Sequence, residues 1–413
     1  MMLSVENALL DGERVGVRCE GGTIADIGAG VAAQAGDEVL DAGGAHLVPP
    51  LVNGHTHAAM TLFRGSGGDL PLMPWLEEKI WPVEAKLSEE DVYWGARLAC
   101  AEMLRSGTTR FWDMYWHPEA TARAVADSGI RATIGAPLFD LHGSAEQLRE
   151  MAHRGLEALA GCGPEIAPAL APHAIYTVSE ESLRWIGELS AERGLPVQIH
   201  LSETESEVQD CIAAHGVRPA FYLDRLGLLN ERTVLAHGVW LDPEELALIA
   251  ERGATVITNP VANMKLAVGG VFPHPGARAA GVDVGLGTDG AGSNDSLDLF
   301  ADLKAFALIQ KHATADPTAI DAAEAWAVAT GARAPLLGAG TLAVGAPADF
   351  LLLDAEAPEL GIGELTANLV YAASGAVVEA AVVDGRVLMR GGQLPELGEV
   401  LARTAERARS LGL

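Results

Sequence analysis

Short apolar segments alternate with longer amphipathic segments between residues 47 and 287. The apolar segments predict eight β-strands, at 47–53, 108–113, 131–138, 165–171, 197–201, 233–236, 255–258 and 283–287. Helix-capping residues mark the segments between them, at Ser88, Ser179, Asp242-Pro243, Gly194 and Gly253. Eight strands alternating with helices predict an α/β protein with a (β/α)8 TIM barrel. A doubly wound sheet is the alternative, but no Gly-x-Gly-x-x-Gly follows the first strand.

The two ends of the chain have a different pattern, with short strands separated by glycine turns. One such pair, Val15–Cys19 and Thr23–Ile27, flanks Gly21-Gly22 and predicts a hairpin. We therefore expect a small β-sandwich domain formed by residues 1–48 and 345–413. The metal-dependent (β/α)8 barrel would then occupy residues 49–344.

The composition of the chain says more about which partners it can bind than about its function. The 413 residues are 49% hydrophobic and 20% charged, and the formal net charge is −28. A chain this acidic repels phosphate backbones and anionic membranes, so neither nucleic acid nor a membrane is an expected partner. The four cysteines form no Cys-x-x-Cys pair, and the sequence has neither a secretory signal pattern nor an apolar run of roughly 20 residues. These features predict a cytoplasmic protein.

Five of the eight predicted strands end in histidine or aspartate. The residues are His55 and His57, His173, His200, His237 and Asp289. In a barrel the carboxyl ends of the strands meet at one rim, where the chemistry takes place. The other seven histidines fall in predicted loops or helices or before the first strand, and we expect packing or surface roles for them.

The rim residues are suitable ligands for one catalytic divalent metal. His55, His57 and His200 supply nitrogens, and Asp289 supplies an oxygen or accepts a proton from water. Zinc is the preferred metal, with ferrous iron left open. Glu203 is placed to shuttle protons to a substrate, and His237 to orient the attacking water or stabilise developing charge.

The chain resembles the amidohydrolase superfamily in several motifs. The matching motifs are Asn53-Gly54-His55-Thr56-His57, His200-Leu201-Ser202-Glu203, Ala236-His237-Gly238, Asn259–Leu266 and Gly287-Thr288-Asp289-Gly290. Three further segments, His55–Gly65, Leu72–Leu76 and Trp81–Glu84, resemble the 5′-methylthioadenosine/S-adenosylhomocysteine deaminases. Binuclear members of the superfamily bridge two metals through a lysine on strand four. The five lysines here lie elsewhere, at 79, 86, 265, 304 and 311, so a single metal is expected.

The resemblance implies a hydrolytic deaminase of adenosine-type nucleosides that releases ammonia. In such an enzyme Glu203 protonates a ring nitrogen, while His237 and Asp289 activate water. Glu84 would contact the ribose hydroxyls, because a carboxylate can accept both hydrogen bonds of a vicinal diol. His173 would contact the purine, and Trp75 would cover the apolar 5′ side.

One departure from the family pattern concerns the 5′ group of the substrate. Deaminases that accept S-adenosylhomocysteine usually present arginines after strand three and in the next loop. Here Gly135–Asp140 contains none, and only Arg149 lies nearby. We therefore expect adenosine, 5′-methylthioadenosine or another 5′-modified adenosine to be preferred over S-adenosylhomocysteine.

Two other readings stay open on the sequence alone. The first is a deaminase or hydrolase of a free base or other N-heterocycle, including triazines, on the same scaffold. The second is a binding protein that has kept the barrel without the chemistry. The sequence also leaves a homo-oligomer open.

Overall fold

The computed structural model describes residues 2–66 and 70–413. Met1, which falls in the predicted small domain, lies outside the described residues. Within the described ranges the strands are β1 Met2–Leu10, β2 Glu13–Glu20, β3 Thr23–Gly28, β4 Glu38–Asp41, β5 His46–Val48, β6 Leu51–Thr56, β7 Thr108–Met114, β8 Arg131–Gly135, β9 Pro137–Leu138, β10 Ile166–Pro168, β11 Ala171–Pro172, β12 Val197–Leu201, β13 Thr233–His237, β14 Thr255–Thr258, β15 Asp283–Leu286, β16 Phe350–Leu353, β17 Val378–Val383 and β18 Arg386–Arg390.

Helices follow most of the central strands. They are α1 Leu72–Trp75, α2 Trp81–Glu84, α3 Glu89–Arg105, α4 Pro118–Ser128, α5 Ala145–Leu159, α6 Glu180–Arg193, α7 Glu205–His215, α8 Pro219–Arg225, α9 Pro243–Arg252, α10 Pro260–Lys265, α11 His274–Ala280, α12 Leu299–Thr314, α13 Ala322–Ala329, α14 Leu365–Tyr371 and α15 Leu397–Leu411. Short helical turns lie at Ala58–Phe63, Leu76–Ile80, Pro335–Leu337 and Gly375–Val377. None of the helices in the described ranges is long and apolar enough to cross a membrane.

The predicted capping residues lie where the helices begin and end. Ser88 accepts a hydrogen bond from the backbone N–H of Asp91, and Ser179 accepts one from Ser182. Asp242 accepts two from the first turn of α9, which closes at Gly253 with a left-handed φ of 69°. Side-chain caps satisfy N–H groups that have no partner within the helix. The cap predictions are confirmed.

The central strands run parallel in the predicted order. Two four-stranded sheets have the orders β10-β8-β7-β6 and β12-β13-β14-β15, and β9 pairs with β11 as a two-stranded extension. Strands β12, β13 and β14 are buried along their whole length, as expected when helices cover a parallel sheet. The α/β class and the parallel order are therefore as predicted. The assigned ladders do not form one closed ring, so the barrel is supported only in part.

The first predicted strand, 47–53, is in fact two strands, and this boundary was wrong. Residues Pro49-Pro50 separate β5, which pairs with β1 and β16, from β6, which pairs with β7. Proline has no backbone N–H to donate to a ladder, so the chain leaves one sheet and enters the other at this point. The uniformly apolar sequence around the prolines gave no sign of the change.

Both ends of the chain contribute to a single mixed sheet. Its order is β18-β17-β16-β5-β1-β2-β3, with β4 paired to β1 beside this path. The predicted hairpin is present, since β2 pairs antiparallel with β3. Alternate residues of β16 face different cores: Phe350 and Leu352 pack with the terminal strands, and Leu351 and Leu353 with the central helices. The shared sheet is thus observed, whereas a sandwich of two separate sheets is not confirmed.

Segments assigned to the small domain also pack on the central helices. Thr404 of α15 donates a hydrogen bond to the carbonyl of Trp94 in α3, and Arg407 pairs with Asp91 of α3 at 2.6 Å. Helix α14 likewise lies against α12 and α13. The division at residues 48 and 345 stays a prediction.

A buried ion pair joins the central sheet to the terminal sheet. Arg131 of β8 contacts Asp349, just before β16, through Nε at 2.7 Å and Nη2 at 3.2 Å. Asp349 also accepts the backbone N–H of Asp384 at 2.8 Å. We expect Asp349→Asn to lower the free energy of unfolding by about 3 kcal/mol, because it leaves a largely buried guanidinium short of a partner.

Denaturant unfolding would measure that loss, with Glu406→Gln as the matched control. Glu406 is 57% exposed and pairs with Arg403 on the surface of α15, so its loss should cost less than about 1 kcal/mol. Equal effects of the two substitutions would contradict a special contribution from the buried pair.

Candidate metal centre and active site

The predicted rim residues lie together at the carboxyl ends of the parallel strands. His55 is in β6, His200 in β12, and His237 is the last residue of β13. Asp289 follows β15 by three residues, and His57 follows β6 by one. Because parallel strands end at the same edge, side chains far apart in sequence meet here.

Three imidazoles and one carboxylate form a tight cluster. Asp289 Oδ1 lies 3.3 Å from Nε2 of His55 and 3.2 Å from Nε2 of His57. Nε2 of His200 lies 3.2 Å from Nε2 of His55. All four side chains are buried or nearly buried. Four donor atoms therefore converge on one point.

Backbone carbonyls set the proton positions on two of these rings. Nδ1 of His57 donates to the carbonyl of Met114 at 2.6 Å, and Nδ1 of His200 donates to the carbonyl of His173 at 2.8 Å. A neutral imidazole with its proton on Nδ1 has a free lone pair on Nε2. Nε2 of His200 therefore presents a lone pair to the centre of the cluster, and Nε2 of His57 does so once it has lost its second proton.

The Asp289 carboxylate is oriented by Ser293, whose Oγ donates to Oδ2 at 2.6 Å. Oδ1 is buried and faces only Nε2 of His55 and Nε2 of His57 among the described residues. A buried carboxylate oxygen is costly unless an ion or a charged group compensates it. Ring nitrogens around such an oxygen fit a divalent metal.

Two sets of side chains have ligand atoms within 4.8 Å of one another around this centre: His55, His57 and His200, and His55, His237 and Asp289. Together they contain the four predicted ligands. They also place His237 close enough to share the ion, which the sequence did not indicate. A third such set, Glu89, His117 and Glu119, lies partly exposed elsewhere on the surface.

The protonation of the cluster follows from burial and from the charge of Asp289. Burial lowers the pKa of His55 to about 4 and that of His200 well below its ordinary value. For His57 burial acts in the same direction, but its hydrogen bond to Asp289 and the negative charge there raise the pKa to about 9. The metal-free cluster therefore contains one charged imidazole paired with one carboxylate.

Glu203 and His237 face each other beside the cluster. Glu203 Oε2 lies 3.8 Å from His237 Nε2. Burial and the charge of Asp289 raise the pKa of Glu203 to about 8, so this carboxyl carries a proton at neutral pH. Burial lowers the pKa of His237, and its Nδ1 lies 2.9 Å from Asn263 Oδ1. The pair thus offers one acid and one neutral imidazole.

A cavity of about 430 Å³ opens onto this cluster. That volume is within the range of about 300–1,000 Å³ typical of small-molecule sites. The predicted residues Trp75, Glu84 and His173 all line it, together with Tyr115 and Trp116. The lining among the described residues contains neither lysine nor arginine.

The predicted substrate residues differ in environment. Trp75 is buried in an apolar cluster that includes Phe63 and Ile80. Glu84 is half-buried, and burial raises its pKa. Burial lowers the pKa of His173 to about 4, and its Nδ1 lies 3.0 Å from Thr177 Oγ1. His173 is therefore neutral and suited to hydrogen bonding with a heterocycle.

Arg149 lies outside the cavity. Its guanidinium pairs with Glu181 at 2.8 Å and stacks over the Trp185 ring at 5.7 Å. It therefore does not replace the arginines that the sequence lacks after strand three.

Sequence reasoning missed several polar residues that surround the cluster. Asp113, which lies at the end of β7, accepts hydrogen bonds from Thr56 Oγ1 at 2.8 Å and from the N–H of Ala58 at 2.7 Å. These two contacts lie on either side of His57. The position of Asp113 near a strand end is the same signal that identified the histidines. Ser293 carried no comparable signal, because it lies in a loop.

Known proteins are similar to this chain over most of its length. The model of the family described as "Amidohydrolase family" matches residues 46–388. A protein of Methanoregula boonei named 5′-deoxyadenosine deaminase is 48% identical over 94% of this chain and 90% of its own length. One of Moorella thermoacetica named 5-methylthioadenosine/S-adenosylhomocysteine deaminase is 44% identical over 90% of this chain and 88% of its own.

Solved structures are similar over the whole chain. The crystal structure of an adenosine deaminase from Xanthomonas campestris with bound zinc has a TM-score of 0.92 at 33% identity, covering 100% of this chain and 98% of that one. An atrazine chlorohydrolase from Arthrobacter aurescens has a TM-score of 0.90 at 21% identity, covering 98% and 100%. At that identity the second similarity shows the fold alone.

The charged state of His57 generates a prediction about metal binding. A metal ion must displace the proton from His57, so we expect zinc affinity to fall about tenfold for each pH unit below 9. His55 and His200 are already neutral and release no proton in this range. Titration calorimetry of the metal-free protein at about pH 7, in buffers of different ionisation enthalpy, should detect release of about one proton per zinc. Zinc binding without proton release would contradict it.

Proposed function

The chain belongs to the amidohydrolase family, and we propose that it is a metal-dependent hydrolytic deaminase of adenosine-type nucleosides. One observation carries the proposal: the buried Glu203 carboxyl lies 3.8 Å from the buried His237 ring, beside a four-donor metal cluster and at the end of a cavity of nucleoside size. The resemblance seen in the sequence is confirmed by the family match and by the relatives, which are named deaminases.

The reaction adds the oxygen of water to the ring carbon that bears the amino group and expels that group as ammonia. A bound divalent metal lowers the pKa of a coordinated water toward neutrality. We assign His55, His57, His200 and Asp289 as its ligands. Their convergent ring nitrogens and the position of Asp289 Oδ1 between His55 and His57 support that assignment.

Proton transfer is assigned to Glu203, His237 and Asp289. Glu203 begins protonated and donates to the ring nitrogen next to the reacting carbon, which makes that carbon more electrophilic. Asp289 and the neutral His237 accept hydrogen bonds from the attacking water and orient it. The two protons of the attacking water complete the cycle: one passes to the departing amine, which leaves as ammonia, and the other returns to the Glu203 carboxylate, so that Glu203 is protonated again.

Substrate contacts are assigned to Glu84, His173 and Trp75. A carboxylate that faces a vicinal diol can accept two hydrogen bonds, which suits Glu84 and the ribose. His173, neutral and adjacent to His200, is placed to contact the purine. Trp75 supplies an apolar surface for the 5′ carbon.

The metal, the domain division and the closed barrel are parts of the same proposal. Nitrogen donors with one carboxylate, and the zinc in the Xanthomonas campestris structure, favour zinc over ferrous iron. Hydrogen bonds across both gaps between the sheets support a closed (β/α)8 barrel spanning 49–344. They join Gln198 N to the carbonyl of Leu170 at 2.9 Å, and Asp289 N to that of His55 at 3.0 Å. A homo-oligomer stays a prediction.

Ammonia release from zinc-loaded protein tests the proposed function. The panel contains adenosine, 5′-deoxyadenosine, 5′-methylthioadenosine, S-adenosylhomocysteine, adenine, guanine, cytosine and an aminotriazine. We expect turnover only of the adenosine compounds. Glu203→Gln should reduce kcat by about 10²–10⁴-fold, because the amide cannot donate and recover a proton. Activity confined to a free base or a triazine would remove the roles given to Glu84 and His173.

A second experiment tests the discrimination between 5′ groups. Leu141 is exposed at the mouth of the cavity, where the described lining offers no guanidinium to an amino-acid carboxylate. We expect wild-type kcat/KM to be lower for S-adenosylhomocysteine than for 5′-deoxyadenosine. Leu141→Arg should raise the kcat/KM for S-adenosylhomocysteine relative to that for 5′-deoxyadenosine about tenfold, since one charge-assisted hydrogen bond is worth about 1.5–3 kcal/mol. Leu141→Gln is the uncharged control, and an equal gain in both variants would contradict the electrostatic explanation.

A further inference from the structure

Glu207, in the first turn of α7, is a buried carboxylate to which the proposed reaction gives no role. It is 6% exposed, and it neither lines the cavity nor belongs to the metal cluster. Within residues 2–66 and 70–413 it forms no ion pair with a lysine, arginine or histidine. Burial and the neighbouring Glu203 raise the pKa of Glu207 to about 8, and hydrogen bonds from backbone N–H groups act against that rise. The groups that donate to it therefore indicate what it does.

Both Glu207 oxygens accept backbone N–H groups from the turn that carries Glu203. The N–H of Ser202 donates to Oε1 and that of Glu203 donates to Oε2, each at 2.9 Å. Ser202 has a left-handed φ of 52°, which is strained for a residue other than glycine. Successive N–H groups in such a turn form a concave anion site. The Glu207 carboxylate occupies that site.

This turn lies between two residues with different proposed roles, the metal ligand His200 and the proton-transfer residue Glu203. His200 ends on the metal side of β12, while Glu203 must turn to face His237. We propose that Glu207 is a positioning residue, whose carboxylate fixes the Ser202–Glu203 turn so that the Glu203 side chain points at the substrate. This inference rests on the role proposed for Glu203.

A purely structural role as a helix cap is the competing explanation. The third residue of a helix often bonds back to the N-cap residue, but Glu207 reaches beyond Thr204 to the two residues before it. The chain supplies a matched control in α9. Glu245 occupies the same helix position, is fully buried, and accepts the N–H groups of Ala220 and Asp242 away from the cavity lining. Unlike Glu207, it also pairs with Arg218 at 2.8 Å.

The experiment compares Glu207→Gln with Glu245→Gln in zinc-loaded full-length protein. The amide introduced by Glu207→Gln can accept from only one of the two N–H groups, which loosens the turn. We expect kcat for 5′-deoxyadenosine to fall about 10- to 100-fold, because small misplacements of a catalytic group have effects of that size. KM and zinc content should change less than about twofold. Glu245→Gln should lower Tm at least as much as Glu207→Gln does, because it also removes the charged partner of Arg218, while leaving kcat unchanged.

A double-mutant cycle tests whether Glu207 acts through Glu203. In the Glu203→Gln background, adding Glu207→Gln should cause no further loss of kcat. A further loss of about tenfold in that background would overturn the inference, as would an unchanged kcat in Glu207→Gln alone. Should Glu207→Gln not fold, Glu207→Asp keeps the charge but shortens the reach, and an unchanged kcat there overturns the inference too.

These outcomes are distinguishable from failure of the proposed function. Full activity in Glu203→Gln would remove the catalytic role of Glu203 itself. An inactive Glu203→Gln together with a fully active Glu207→Gln would remove only the positioning role.

Discussion

The Asp289 carboxylate is the constraint on which the rest of the site depends. It is buried where the two parallel sheets approach each other, and its backbone N–H bonds to the carbonyl of His55. A buried anion needs compensation, and the imidazoles that surround it come from segments on both sides of that gap. The cluster can therefore form only when both sheets are in place. This couples assembly of the metal centre to completion of the fold.

Backbone strain is concentrated in the same region. Ser202, His237 and Asp289 all have φ between 52° and 75°, and all lie at or just beyond a strand end. Such conformations cost about 1–3 kcal/mol each and persist where neighbouring groups fix them. Each strained segment has such a partner: Glu207 on the Ser202 turn, Asn263 on the His237 ring and Ser293 on the Asp289 carboxylate. The strained turns move these side chains away from the regular alternation of a strand and toward one centre.

The sequence predicted the side chains that meet at the strand ends better than the groups that form hydrogen bonds with them. His55, His57, His200, His237 and Asp289 were identified because strand periodicity placed them at strand ends, and parallel strands bring their ends together. Glu207 and Ser293 contact the site through hydrogen bonds, and the geometry of the loops determines the partners of those bonds. The spacing of apolar residues along the chain does not predict that geometry. The break at Pro49-Pro50 was missed because apolar residues flank it on both sides, although proline itself disfavours a continuous ladder.

Charge and cavity chemistry together restrict the substrate. The chain has a net charge of −28, so its long-range field repels anions before they reach the cavity. Among the residues that the structure describes, no lysine or arginine lines the cavity. Arg149, which the sequence analysis considered as a partner for a substrate carboxylate, is paired with Glu181. A 5′-phosphate or a terminal carboxylate would therefore lose its hydration without gaining a charged partner, which is costly. A neutral nucleoside avoids this cost and still offers a diol to Glu84 and a heterocycle to His173. The acidic net charge and the cavity lining thus both support the proposed preference for adenosines whose 5′ group is small and uncharged.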